Sequence, residues 1–179
     1  DLETIEFQQN HLLLNSETTD LTLDHLTLNA PGENGFDTGL ADLTVNGSVD
    51  VQSGRLASSG GIVDFSGSVQ FDPSLSMLEL DNTTLTLSNP FQLSSVLRFG
   101  GTSSLPANDL LDLSGASIEL GGDLNLQGVK TDNTTFIELT DNSSIRSDGQ
   151  IVLGRMMPHG HSLELGSTDT ELNLLGIGE

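Results

Sequence analysis

Apolar and polar residues alternate along this chain in short, evenly phased bursts. The unit is a triplet, apolar–polar–apolar: Leu21-Thr22-Leu23, Leu26-Thr27-Leu28, Leu43-Thr44-Val45, Val49-Asp50-Val51, Val69-Gln70-Phe71, Leu78-Glu79-Leu80, Leu85-Thr86-Leu87, Leu111-Asp112-Leu113, Ile118-Glu119-Leu120, Leu124-Asn125-Leu126 and Leu163-Glu164-Leu165. Polar turn residues separate the copies. A side-chain period of two sends alternate residues to opposite faces of a strand, so each triplet predicts a short strand with one buried side. No segment sustains the i, i+3, i+4 spacing of a helix. Many strands this short predict a chain wound repeatedly around one narrow apolar axis. The expected fold is therefore all-β: a single right-handed parallel β-helix (β-solenoid) over residues 1–179, with about three short strands per turn, roughly 7–8 turns and roughly 20–26 residues in each. With strands stacked ~4.8 Å apart, the rod would be roughly 35–40 Å long.

Four segments align on their opening triplets, Leu78-Glu79-Leu80, Leu111-Asp112-Leu113, Ile137-Glu138-Leu139 and Leu163-Glu164-Leu165, at offsets of 33, 26 and 26 residues. Second strands follow at Leu85, Ile118, Ile145 and, more loosely, Leu172; third strands start at Phe91, Leu124 and Ile151. The long first offset is read as an insertion at 100–109. Leu43, Val49 and Leu56 form one earlier turn, and Val63, Val69 and Leu75 the next. Residues 1–42 make a less regular start. Strong turn chemistry marks loops at 29–40 and 154–162. The expected core comprises Leu80, Leu85, Leu87, Leu113, Ile118, Leu120, Leu124, Leu126, Leu139, Ile151, Leu153, Leu163 and Leu165.

A corner motif recurs in Asp81-Asn82-Thr83-Thr84, Asp132-Asn133-Thr134-Thr135 and Asp141-Asn142-Ser143-Ser144. Asn and Asp tolerate left-handed backbone and close turns with their own side chains. Asn46, Asn82, Asn133 and Asn142 also head Asn-x-Ser/Thr sequons, sites of glycosylation only in a suitable secretory host. Residues 111–128 (Leu-Asp-Leu-Ser-Gly-Ala-Ser-Ile-Glu-Leu-Gly-Gly-Asp-Leu-Asn-Leu-Gln-Gly) and 43–54 (Leu-Thr-Val-Asn-Gly-Ser-Val-Asp-Val-Gln-Ser-Gly) resemble the right-handed β-helix repeats of filamentous-haemagglutinin-type exoproteins and autotransporter passenger domains. The resemblance extends over roughly 40–175 and is one of repeat style, without a secretion signature. It implies an adhesive or structural rod, extracellular or on a cell surface.

Composition agrees with a thin solenoid. Hydrophobic residues make up 35% of the chain, with seven Phe and no Tyr or Trp. There is no cysteine, which removes disulfide and thiolate chemistry. Net charge is −21, from 26 acids and five bases, with Lys130 the single lysine. Nucleic acid needs a basic surface, so it is excluded as a partner, and anionic membranes and polysaccharides are disfavoured. No apolar run approaches the ~20 residues that span a bilayer, so no membrane insertion is expected. The chain opens on Asp1 in mid-pattern, which reads as a mature product or a piece of something longer.

The sharpest candidate chemistry is electrostatic. In the four-segment alignment the outward triplet centres are Glu79, Asp112, Glu138 and Glu164, which would share one face in adjacent turns. Carboxylates stacked at strand spacing repel. Such a column calls for water, salt or Ca2+ held by oxygen ligands. Residues 32–39 have a loosely calcium-loop-like composition but not the spacing of a known motif, and read as a plain loop. His159 and His161 would supply two imidazoles of a metal site without a visible third ligand. His11 and His25 stand alone, His25 as a corner. Thr22, Thr27, Thr44 and Thr86 are outward centres, but one Thr per strand falls short of an ice-binding ladder. Sugar-cleaving β-helices want aromatic platforms or basic residues, and here only Arg55, Arg98, Arg146 and Arg155 join Lys130; no enzyme is expected and no cofactor beyond the Ca2+ option. The triplets run from Ile5-Glu6-Phe7 to Leu172-Asn173-Leu174 without a capping helix, so the chain is either an excised fragment or a unit that self-associates end to end. The expected role is a secreted or cell-surface structural or adhesive rod, stacking into a filament or binding other surface proteins; the alternative is a cation- or carbohydrate-binding surface module.

Overall fold

Each triplet named above begins within a strand, and every pairing between the described strands is parallel. The computed structural model describes residues 2–7, 12–14, 20–106, 109–126, 128–147, 150–165 and 171–178. The chain is a β-solenoid of about seven turns; among the described residues 61% are strand and none is helical. Three faces stack in register. On the first face Leu21, Leu43, Val63 and Leu85 lie in file. On the second, Leu26, Val49 and Val69 are in file, and further along Phe91 lies against Leu111 and Ile151 against Leu172. On the third, Phe36, Leu56, Leu78, Leu97, Ile118, Ile137 and Met156 form one unbroken inward column.

From Phe36 onward, one turn on the third face takes between 19 residues, from Leu78 to Leu97, and 22, from Leu56 to Leu78; the turn from Leu12 to Phe36 takes 24. Some strands pass through corners without a break. Leu43–Ser58 covers all three faces in 16 residues. Val96–Ser104 and Ser117–Asn125 each cover two, bending at paired glycines, Gly100-Gly101 against Gly121-Gly122.

The core is a single apolar axis of Leu, Ile, Val and Phe. Each fully buried side chain of this size stabilises by about 1.5–3 kcal/mol. Eleven of the expected core residues are buried, from Leu80 to Leu153. Leu163 is only half-buried and Leu165 is 40% exposed, which corrects their assignment to the core. Both lie on the strand Leu163–Leu165, which pairs with Ser143–Arg146 on one edge only among the described residues.

Turn length explains the differences from the sequence reading. The four aligned segments start on different faces: Leu78 and Ile137 on the third, Leu111 on the second, Leu163 on the first. Three strands lie where the sequence pattern reads as loop. The supposed insertion at 100–109 contains the second half of Val96–Ser104, and 154–162 contains Arg155–Met157. The loop at 29–40 likewise contains the strand Gly35–Asp37. The residue stacked on Leu56 is Leu78, while Leu75 is 63% exposed in the preceding turn. Within the less regular start expected at 1–42, residues 21–29 pair with Leu43–Ser58 through two register shifts, at Leu23/His25 and Leu28/Asn29.

Corners interrupt the ladders and leave carbonyls to be satisfied, and buried hydroxyls do this. Thr83 Oγ1 donates to the carbonyl of Asp81 at 2.8 Å, Ser143 Oγ to that of Asp141 at 2.9 Å, and Thr135 Oγ1 across the stack to that of Leu113 at 2.9 Å. Asn82, in the left-handed region at φ 50°, accepts the Thr102 N–H on its side-chain oxygen at 3.0 Å. Thus the Asp-Asn-Thr/Ser motif builds corners as its composition suggests. Where two turns touch most closely, only glycine fits: a Cβ on Gly67 would lie 1.4 Å from the carbonyl oxygen of Gly47.

Candidate functional site

The outward side of the third face carries the densest arrangement of charge. Its register places Asp37, Ala57, Glu79, Arg98, Glu119, Glu138 and Met157 in one file. Strand spacing would set like charges directly opposite, which is unfavourable. Two arginines interleave the acids instead. Arg55, in the neighbouring file, lays its guanidinium between Asp37 (Nη2 to Oδ2, 3.4 Å) and Glu79 (Nη1 to Oε2, 2.9 Å). Ala57 stands between those two acids and is 3% exposed; a longer side chain there would occupy the path of the guanidinium. Arg98 donates from Nη1 to the same Glu79 oxygen at 3.2 Å and from Nε to Glu119 Oε2 at 2.7 Å. The hydrogen bond to Glu119 raises the Arg98 guanidinium above its ordinary value; partial desolvation opposes this, and the charges of Glu119 and Glu79 add to it.

The ladder loosens toward Glu138. Glu119 and Glu138 face each other with no base between them, and Glu138 is paired with His159 Nε2 at 3.0 Å. Exposure of the acidic side chains rises along the file, from 13% at Asp37 to 47% at Glu138.

This arrangement corrects the expected acidic column. Glu79 and Glu138 share a file, but with Arg98 and Glu119 between them. Asp112 lies on the second face, opposite Gln92 on one side and, through backbone pairing, Lys130 on the other, with its Oδ1 accepting the Ser114 N–H at 2.9 Å. Glu164 lies on the first face, opposite Ser144. The reason is the phase slip described above. Among the described residues no three His, Cys, Asp or Glu side chains are grouped to hold a metal ion. His161 donates its backbone N–H to Pro158 in a turn, and His25 Nδ1 lies 2.9 Å from Ser48 Oγ. His11 lies outside the described residues. Residues 32–39 form a turn running into the strand Gly35–Asp37. Thr22, Thr44 and Thr86 do share a file, interrupted by Asp64, which accepts the Thr86 hydroxyl at 2.5 Å; Thr27 is on the next face, opposite Asp50.

The arginines are the residues that triplet reading misses. Leu97-Arg98-Phe99 is itself an apolar–polar–apolar triplet, and a comparison at 19–21 residue offsets would have joined Glu79, Arg98, Glu119 and Glu138. Beside the ladder, the glycine corner opens a groove of about 300 Å³ lined by Glu79, Asp81, Arg98, Gly100, Gly121 and Asp141, among others. A second hollow of about 220 Å³ on the first face is lined by Thr102, Ser104, Asp123, Asn125 and Arg146, with their neighbours. Both are shallow polar grooves between files. Comparison with known proteins returns no match to a family model, a curated protein or a solved structure.

Proposed function

We propose that this chain is a non-enzymatic structural or adhesive rod, secreted or displayed on a cell surface, that stacks end to end through the strand edges of its terminal turns or binds other surface proteins. The observation that carries the reading is the inward column from Phe36 to Met156, which keeps register through every turn of the third face, with an ion-pair ladder alongside. Such a cross-section transmits shape along an axis, and a uniform parallel edge accepts a further strand. The repeat style shared with filamentous-haemagglutinin-type exoproteins and autotransporter passengers supports the same role, with end-to-end stacking as the form of assembly. Sedimentation and negative-stain imaging of the purified chain test it. Elongated particles that lengthen with concentration, and more so in high salt where the charge of −21 is screened, are expected. Single units of constant size at every concentration and salt would overturn assembly.

The acidic groove beside Gly100 and Gly121 favours a second reading, a cation- or carbohydrate-binding surface module. Thermal melting in millimolar Ca2+ separates the two, since binding to the folded state raises the melting temperature. An unchanged melting curve would remove the Ca2+ reading.

A further inference from the structure

Two Asn-Gly dipeptides occur in the sequence, Asn34-Gly35 and Asn46-Gly47, and both asparagine side chains are exposed. Glycine after asparagine leaves the following backbone nitrogen unshielded, so the asparagine carboxamide can be attacked by it. The fold treats the two sites differently. Asn34 donates its N–H to Pro31 at 3.3 Å and accepts the Arg55 N–H on its carbonyl at 2.9 Å, while Gly35 is buried and paired with Arg55. Ring closure there requires rotation about the Asn34 Cα–C bond, which breaks the ladder bond from Arg55.

Asn46 and Gly47 lie where the ladders lapse. Toward the preceding turn, Leu23 faces Val45 and His25 faces Ser48, so one strand spans two steps while the other spans three. This is a bulge, which leaves a residue unpaired. Toward the following turn, pairing stops at Val45 with Phe65 and resumes at Val49 with Val69. Neither register crosses Asn46 or Gly47. Glycine is nonetheless required at 47, because a Cβ there would lie 2.3 Å from the Asp24 carbonyl oxygen and 2.8 Å from His25 Cε1. The corner thus forces a glycine behind an exposed asparagine and withholds the pairing that would protect it.

We infer that Asn46 is a site of spontaneous deamidation in the folded protein and that Asn34 is protected. The Gly47 nitrogen gives its proton to solvent base and bonds to Asn46 Cγ; the bond from Cγ to Nδ2 breaks and ammonia leaves. Water then opens the cyclic imide at either carbonyl, yielding aspartate or isoaspartate. The product adds a negative charge to a protein already at −21 and destroys the Asn46-Gly47-Ser48 sequon. The extra backbone methylene of isoaspartate falls at the bulge, where the register already has slack.

The test is peptide mapping by mass spectrometry of the folded protein held in mildly alkaline buffer, alongside the same protein held in denaturant. Expected is conversion several-fold faster at Asn46 than at Asn34 when folded, with similar rates at the two sites when unfolded. Asn46→Gln, whose imide ring forms far more slowly, should abolish the folded-state signal. Equal or faster conversion at Asn34 in the folded protein would overturn the inference. So would protection of both sites in the folded protein while the unfolded form converts.

Discussion

Ile145 and Leu165 occupy the same inward file of the first face in consecutive turns, yet Ile145 is fully buried and Leu165 is 40% exposed. The two differ in their neighbours. Ile145 lies between Leu124 and Leu165, whereas Leu165 has a described partner on one side only. Leu175 and Ile177, farther along, are 66% and 69% exposed. A solenoid turn therefore fixes which way a residue points, while the turns above and below decide whether it leaves water. This is the near-neighbour energetics of stacked repeats, seen at single-residue scale.

The largest effect should come from truncating the sandwiched member of that file. Ile145→Ala is expected to cost about 2–5 kcal/mol, combining lost transfer free energy with the cavity left behind. Leu165→Ala should cost about 1 kcal/mol or less, because the side chain is already wet. Denaturant unfolding of the two variants measures the difference. Equal losses would break the comparison and show that turns are stabilised individually.

The charged file offers a smaller version of the same contrast. Arg98 is held between carboxylates of the turns before and after it. Arg146, on the first face, is exposed. Removing Arg98 as Arg98→Gln leaves Glu79 and Glu119 without their shared cation. The expected loss is about 1 kcal/mol in dilute buffer, reduced in molar salt, as for partly exposed ion pairs. Arg146→Gln should change stability by under ~0.5 kcal/mol. Unfolding curves for both at two salt concentrations check this. An Arg98→Gln loss that ignores salt would mean that the guanidinium matters by packing over its neighbours instead of by charge.

The same neighbour dependence governs what can be read from the sequence. Strand identity is legible, because Leu-x-Leu spacing is local and each such triplet begins on a strand. The twenty-residue turn is also legible where corners are short, as in Leu43 stacking on Val63 and Val49 on Val69. It is lost where a stretch of strand departs from the pattern. The second half of Val96–Ser104 passes through two glycines into Thr and Ser, and Arg155–Met157 has no β-branched residue, so both resemble loops. Missing them rotates the phase of the repeats, and Glu79, Asp112, Glu138 and Glu164 scatter over three faces. The ladder is hidden for a related reason. Acids dominate the triplet centres, while the organising residues are arginines, and Arg55 acts diagonally over Ala57 from a different file. No triplet pattern encodes a diagonal contact.

Corners separate local from neighbour-dependent stabilisation within one motif, and pH resolves them at the smallest scale. In Asp132-Asn133-Thr134-Thr135, Thr135 bonds across the stack to Leu113, whereas Asp132 serves chiefly its own turn: its Oδ1 accepts the Thr134 hydroxyl at 2.5 Å and the Thr134 N–H at 2.8 Å. The Thr134 hydroxyl, then its N–H, hold the Asp132 carboxyl below its ordinary value; desolvation opposes them, and the Gly115 N–H and the Thr135 side chain add lesser downward contributions. A carboxyl whose pKa is depressed on folding stabilises the folded state at pH above its unfolded value, about 3.9, and that contribution is lost as pH falls through the folded value. Wild type should therefore exceed Asp132→Ala in stability by a constant margin near neutrality. The part of the margin due to ionisation should close as the solution is acidified below the usual carboxylate range. Urea unfolding of both proteins across that range measures it. If the margin stays fixed at every pH, the charge of Asp132 contributes nothing, and the corner is held by the geometry of its hydrogen bonds and by Thr135 reaching to the next turn.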